Sequence, residues 1–323
     1  MCTAITFSTK DHYFGRNLDY EHGFQETVTI TPRNYTLSLR CLPPVRQHYA
    51  MIGMATVSNG YPLYYDATNE YDLSMAGLSF PVSAYYTPET EGKINIAPFE
   101  LIPWILGTSK NISEAKMKLQ NANLVNIPFS KEYPLSPLHW IVADPECVIT
   151  LEQTREGLHL YENPLGVLTN EPPFPYHMLN LQNYLHASSE EAINRFAPEL
   201  PLMAYSRGMG GIGIPGDLSS ASRFVKAAFT KVNSISKDSE SASISQVFHI
   251  LGSVAQQQGC VKVGKLYEKT IYSSCCNTTK GIYYYTTYEN SQITGIRLHG
   301  TNLDADNLYT FPLVKGQQIH MEN

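Results

Sequence analysis

The chain has 323 residues, 43% of them hydrophobic and 16% charged, which is enough apolar material for a substantial core. A formal charge of -6 offers no global field for nucleic acid or an anionic membrane, so an anionic ligand requires a local arginine cluster. No basic segment followed by an apolar run opens the chain, and the best apolar stretch, PFELIPWILG, falls well short of the roughly 20 residues that cross a bilayer.

The first 40 residues read as short strands, TAITF, YFGRNLDY, TVTITP and YTLSLRC, an antiparallel meander between polar turns. Further strands are predicted at LSMAGLSFP, LHWIVAD, CVITLEQT, GLHLYEN and GVLTN, and a late hairpin joins GIYYYTTYEN to SQITGIRLHG around Asn290 and Ser291. Apolar spacing predicts helices at FELIPWILG, at SEAKMKLQNAN with Ser113 as N-cap, at YHMLNLQNYLHA, at ASRFVKAAFTKVN, and at SISQVFHILGSVAQQQG with Gly259 as its stop. NSISKDSESASIS, the one low-complexity stretch, reads as a surface connection between two helices, and without repeats or a long linker residues 1–323 read as one domain.

Six scattered cysteines argue for reduced thiols in a cytoplasmic protein, where the sequons at Asn34, Asn111 and Asn277 stay bare. GMGGIG (208–213) matches the spacing of a dinucleotide loop but is followed by Ile214, Pro215 and Gly216 where a helix is needed, so a turned glycine loop is the better account. Cys275 and Cys276 would point to opposite faces of a strand and lack metal-ligand companions; no metal or cofactor is expected.

Cys2 raises a sharper possibility. Removal of Met1 would leave one residue carrying both a thiol and an α-amine whose ordinary pKa, about 7.7–8.0, suits it to take the thiol proton. The alternative is a small residue at an idle terminus. Arg16 and Asp19 on the next strand could favour the thiolate and hold the ammonium, or could form an exposed ion pair. Three positions apart, they face opposite sides of a regular strand and serve one site only if that strand bends, bulges or ends.

Taken together, MCT, FGRNLDYE, YDATNEYDLSMAGLSFP, LHWIVAD, GVLTNEPPF, GIPGDLSSASRFVKAAF and YYYTTYEN resemble, from end to end, the choloylglycine hydrolases. These are bile salt hydrolases and penicillin V acylases of the N-terminal-nucleophile superfamily. The resemblance implies an α+β fold, a four-layer αββα sandwich of two antiparallel sheets flanked by helices. It implies Cys2 as nucleophile, with Arg16, Asp19, Asn170 and Arg223 around it, Asn170 stabilising an oxyanion. It further implies amide hydrolysis of taurine- and glycine-conjugated bile acids, with Leu18, Phe24, Ser79, Ile127, Phe129, Leu135 and Leu138 along the pocket, and a homotetramer. Ser79 stands where bile salt hydrolases commonly have asparagine and the acylases tyrosine. Ser206 and Arg207, in YSRGMGG, are expected either near the substrate's amino acid part, where the forked donors of Arg207 would favour a sulfonate, or in a loop ordered only by subunit contacts. Penicillin V acylase or broader N-acyl amide hydrolysis, and a non-catalytic binder of amphipathic acids, are the alternatives.

Overall fold

The computed structural model describes residues 1–323. Strands β1 (Cys2–Ser8), β2 (His12–Tyr20), β3 (Thr27–Thr31), β4 (Met51–Ser58), β5 (Tyr61–Asn69) and β6 (Ser74–Ser79) open the chain. A short strand β7 (Ile94–Ile96) leads to helices α1 (Leu101–Thr108) and α2 (Ile112–Leu119), then to β8 (Ala122–Leu124), β9 (Leu138–Ala143), β10 (Val148–Thr154), β11 (Gly157–Glu162) and β12 (Val167–Leu168). Helices α3 (Phe174–Asn180), α4 (Ser220–Asn233) and α5 (Glu240–Gly252) precede β13 (Val261–Val263), β14 (Leu266–Asn277), β15 (Ile282–Thr287), β16 (Asn290–Arg297) and β17 (Tyr309–Pro312).

One sheet runs β12-β1-β2-β14-β15-β16 with β13 beside β14; the other runs β11-β10-β9-β6-β5-β4-β3-β17, and every pairing in both is antiparallel. Helices α4 and α5 cover the first sheet and α1 the second, giving the four layers expected. The inner strands read as nearly continuous buried runs because both of their faces are covered, as in BBBBBBBB over His12–Asp19. Between the sheets Leu18, Phe14, Ile52, Met54, Ile141 and Tyr272 pack together, while Trp140, Leu101, Ile105 and Leu106 fill the space under α1. Each such side chain, fully buried, stabilises the fold by about 1.5–3 kcal/mol.

Several predicted elements shift. YTLSLRC makes only an isolated bridge, Leu37 to Val45, because Pro43 and Pro44 leave no room for a ladder. Asn111, not Ser113, caps α2 by accepting the Glu114 N–H. Helix α5 stops at Gly252, since Gln256 must instead pair its main chain with Thr270 of β14; Gly259 lies beyond in a turn at φ +102°. The second half of NSISKDSESASIS, from Glu240 on, belongs to α5, whose connection to α4 is only 234–239. YHMLNLQNYLHA is helical only to Asn180 and continues as a 3-10 turn, and the late hairpin turns at Tyr288–Glu289, two residues early.

His12 at the start of β2 is buried, its Nδ1 2.9 Å from Ser8 Oγ and its Nε2 without a partner. Burial, reinforced by the Lys231 ammonium, lowers its pKa from 6.5 to about 4. The folded state therefore prefers the neutral ring: the stability is complete above the unfolded value and lost as pH falls through the folded one. On the order of 3 kcal/mol is at stake. The urea midpoint is expected to fall between pH 6.5 and 4, and to fall less in His12→Gln; parallel profiles would reject the assignment.

Candidate active site

Antiparallel register sets the site. Cys2 lies opposite Leu18 and Ala4 opposite Arg16, so the side chains of Cys2, Leu18 and Arg16 share the face turned toward the second sheet. Arg16 is completely buried there and donates from Nη2 to Cys2 Sγ at 2.8 Å. Its Nη1 donates across the sheet interface to the carbonyls of Tyr65 (2.8 Å) and Gly77 (2.9 Å), which fix its aim. Although burial works against the charge, the nearby Cys2 sulfur, Tyr272 and Asp66 hold the Arg16 pKa above its ordinary range.

Asp19 faces the other way, toward the helices, and is also completely buried. The pair is thus neither an exposed ion pair nor gathered on one face; it approaches the first residues of the chain from two sides. The irregularity lies in the neighbouring strand, where an extra residue between Thr270 and Tyr272 of β14 lets Thr270 oppose Asp19 and Tyr272 oppose Leu18. The Thr270 hydroxyl then donates to Asp19 Oδ1 at 2.6 Å. Asp19 Oδ2 is buried without a hydrogen-bond partner, 3.9 Å from Arg223 Nη1. Burial pushes the Asp19 carboxyl up and the Arg223 guanidinium down, each opposed by the other's charge.

Helix α4 delivers Arg223. Ser219 caps this helix by accepting the Ser222 N–H, and the apolar side of ASRFVKAAF turns Arg223 inward with Phe224. Its Nη1 donates to the Cys2 carbonyl (2.5 Å) and Thr3 Oγ1 (2.6 Å), and its Nη2 to Asn170 Oδ1 (2.7 Å). Asn170 Oδ1 also accepts the Cys2 N–H at 2.8 Å, so two donors define which end of the amide is oxygen. One Nδ2 hydrogen goes to the Ser79 carbonyl at 2.8 Å, leaving the second for a ligand. Ser79 thus enters through its main chain. With Met1 present, the terminal ammonium is held by the Asp19 carbonyl (2.7 Å) and the Glu268 carboxylate, and burial lowers its pKa.

The apolar residues expected along the pocket divide. Leu18 lies buried beside Cys2, and Leu138 pairs with Ser79 at the start of β9. Phe24, half-buried, packs on Tyr65, whose carbonyl receives Arg16. Phe129 turns into a separate cluster with Tyr61, Phe99 and Arg40, and Ile127 and Leu135 are half-buried on the same connection before β9. Arg207 and Ser206 are exposed, and neither is among the hydrogen-bond partners of Cys2, Arg16, Asp19, Asn170 or Arg223. The following glycines form a 3-10 turn, Met209–Gly211, in which a side chain on Gly210 would strike the Glu190 carbonyl at 2.3 Å.

Buried polar groups behind Asn170 escaped the sequence reading. His139 bridges the Glu152 carboxyl and the Thr169 carbonyl, each at 3.0 Å, while His177 donates from Nε2 to the Asn170 carbonyl at 2.9 Å and stacks on Phe224. Burial lowers the His177 pKa, keeping it neutral. Their signal was a histidine inside the apolar strand LHWIVA and another on the buried side of α3.

Residues 2–311 match the family model of linear amide C–N hydrolases, choloylglycine hydrolase family. The chain is 53% identical to the bile salt hydrolase/transferase of Lactiplantibacillus plantarum and 38% identical to that of Clostridium perfringens, each alignment covering 100% of both chains. Among solved structures, the C2A mutant of the conjugated bile acid hydrolase from Clostridium perfringens superposes with a TM-score of 0.93 at 37% identity, covering 100% of both. The penicillin V acylase from Agrobacterium tumefaciens shares the fold at a TM-score of 0.76 and 16% identity, over 98% of this chain and 92% of that one. The match of residues 2–311 to the family model, together with whole-chain alignment to relatives of one activity class, makes the chain a linear amide C–N hydrolase belonging to the choloylglycine hydrolase family.

Proposed function

We propose that this chain, after loss of Met1, cleaves the amide bond of taurine- and glycine-conjugated bile acids through a thioester on Cys2. The observation that carries the reading is a division of labour at one residue. Arg16 addresses the Cys2 sulfur at 2.8 Å from the sheet interface, whereas Asn170 and Arg223 hold the Cys2 main chain from the other side. A residue held in this way keeps its thiol and its nitrogen apart but within reach of one carbonyl. The bile acid part rests on the named activities of the relatives.

In this mechanism the Cys2 α-amine takes the thiol proton and the sulfur attacks the amide carbonyl carbon. The free Nδ2 hydrogen of Asn170 stabilises the oxyanion. The ammonium returns its proton to the departing nitrogen, and the C–N bond breaks to leave a thioester. Water, deprotonated by the same amine, then releases the bile acid and regenerates the thiol. Asp19 Oδ2, buried without a donor, is suited to hold the ammonium. Leu18, Phe24, Ser79, Ile127, Phe129, Leu135 and Leu138 border the steroid in this reading, and Arg207 favours the sulfonate of taurine. Exposed Phe196, Met203 and Tyr205, on the stretch before Arg207, support an intersubunit contact in a homotetramer.

Release of taurine, glycine and phenoxyacetate from matched conjugates is expected to be fastest with taurine, slower with glycine and slowest from penicillin V. Only chains whose mass shows Met1 removed are expected to turn over. Dominant phenoxyacetate release would favour the acylase, and tight binding without release the non-catalytic binder. An unchanged taurine-to-glycine ratio in Arg207→Ala would remove Arg207 from the reading.

A further inference from the structure

Arg16 has a second acidic neighbour that the site above does not use. Asp66 of β5, 2% exposed, reaches across the sheet interface and accepts hydrogen bonds from Tyr272 (2.7 Å) and Ser274 (3.2 Å) of β14 and Tyr283 (2.6 Å) of β15. Ser274 is the residue directly opposite Arg16 in the β2–β14 ladder, and Tyr272 is opposite Leu18. Thus Arg16 crosses from the first sheet to carbonyls of the second beside Asp66, and Asp66 crosses back to hydroxyls beside Arg16. Every Arg16 hydrogen bond goes to a carbonyl or to Cys2 Sγ, so Asp66 acts on the guanidinium through space. In a dry interface such an interaction is poorly screened. Burial raises the Asp66 pKa, and the Arg16 charge together with the Tyr283, Tyr272 and Ser274 hydroxyl donors works against that rise in favour of the carboxylate.

We propose that Asp66 is the second anion on Arg16: a positioning residue that shares the guanidinium charge with the Cys2 sulfur and so sets the pH range over which Cys2 is a reactive thiolate. Arg16 is faced by Cys2 of β1, Tyr272 of β14, Tyr283 of β15 and Asp66 of β5. Asp66 is also close to Cys276 of β14, and Cys2 is faced from the helix side by Asp19, Arg223 and the terminal ammonium. Within that set, Asp66 is the anion on the sulfur's side of the sheet. Removing its charge leaves the sulfur as the anion on that side of the sheet, with Asp19 the remaining carboxylate that feels Arg16, and favours the thiolate.

The catalytic consequence rests on Cys2 being the nucleophile; the charge sharing does not. The test is the pH dependence of Cys2 alkylation by iodoacetamide in the full chain, read at the Cys2 peptide, alongside the thermal midpoint and hydrolysis of a taurine conjugate. Asp66→Asn and Asp66→Ser both remove the charge and keep an acceptor, and either one that folds gives the readout. The alkylation midpoint is expected to move toward acid by about one pH unit, a roughly tenfold gain in thiolate below it. Asp66→Glu, which keeps the charge, is expected to hold the wild-type midpoint even where its thermal midpoint falls. An unmoved midpoint in the neutral variants, or an equal shift in Asp66→Glu, would overturn the proposal. Wild-type protein that alkylates normally but hydrolyses no conjugate would reject the conjugated-bile-acid reading and leave Asp66 standing.

Discussion

Cys2→Ala, with Met1 removed, is expected to lower amide hydrolysis by at least about a thousandfold while leaving conjugate binding within a few-fold of wild type. The site offers no second nucleophile to replace the sulfur. Thr3 Oγ1 is occupied by Arg223, and Cys275 and Cys276 lie inside the sheets, where burial raises both thiol pKa values, that of Cys276 to about 12. Alanine keeps the α-amine and the Cys2 main-chain positions that Asn170 and Arg223 hold, so the pocket walls persist and only the attacking atom is lost. Cys2→Ser is expected to keep trace activity at best, because an alkoxide is far costlier to generate beside Arg16 than a thiolate. Calorimetric binding together with single-turnover product release checks both variants. Turnover that survives Cys2→Ala unchanged would reject covalent catalysis by Cys2.

The residues nearest the start of the chain were legible because the chemistry of Cys2, Arg16 and Asp19 is compressed into two strands joined by a three-residue turn, and a strand pattern can be read locally. Asn170 and Arg223 were legible only through the family's order of motifs, since nothing local says that an asparagine before a Glu-Pro pair meets a helix residue 53 positions later. What stayed hidden depended on register between distant strands. The odd spacing of Arg16 and Asp19 predicted a bend or bulge in their own strand, but the extra residue sits in β14. It turns Thr270 toward Asp19 and leaves Arg16 and Asp19 on opposite faces. Asp66 and Glu268 were invisible for the same reason, each finding its partner about 200 or more residues away in sequence. The overlong α5 marks the converse limit: SVAQQQG keeps a helical pattern, but Gln256 gives its main chain to Thr270.

Arg223 and Asp19 provide the means to separate holding the fold together from doing the chemistry. Arg223→Gln strips donors from the Cys2 carbonyl, Thr3 Oγ1 and Asn170 Oδ1, and leaves the Asp19 carboxyl without its nearest side-chain cation. Breaking a buried pair from one side costs about 3–5 kcal/mol, so the thermal midpoint is expected to fall by roughly 10 °C. The loss carries a pH signature. Burial already raises the Asp19 pKa, and without Arg223 it rises further. A carboxyl raised on folding stabilises the folded state below its unfolded pKa and loses that contribution as pH climbs through the folded value. Arg223→Gln is therefore expected to be least stable at neutral pH and to recover on acidification. Adding Asp19→Asn removes the stranded charge, so the double variant is expected to regain part of the lost stability at neutral pH and to lose the acid recovery. Activity is expected to behave oppositely, staying at least about a hundredfold down in the double variant, because neither the ammonium partner nor the clamp on Asn170 returns. If the double variant is no more stable than Arg223→Gln, the two charges are not coupled across their 3.9 Å separation; if it regains activity along with stability, Arg223 serves the fold alone and the clamp on Asn170 is not part of the chemistry.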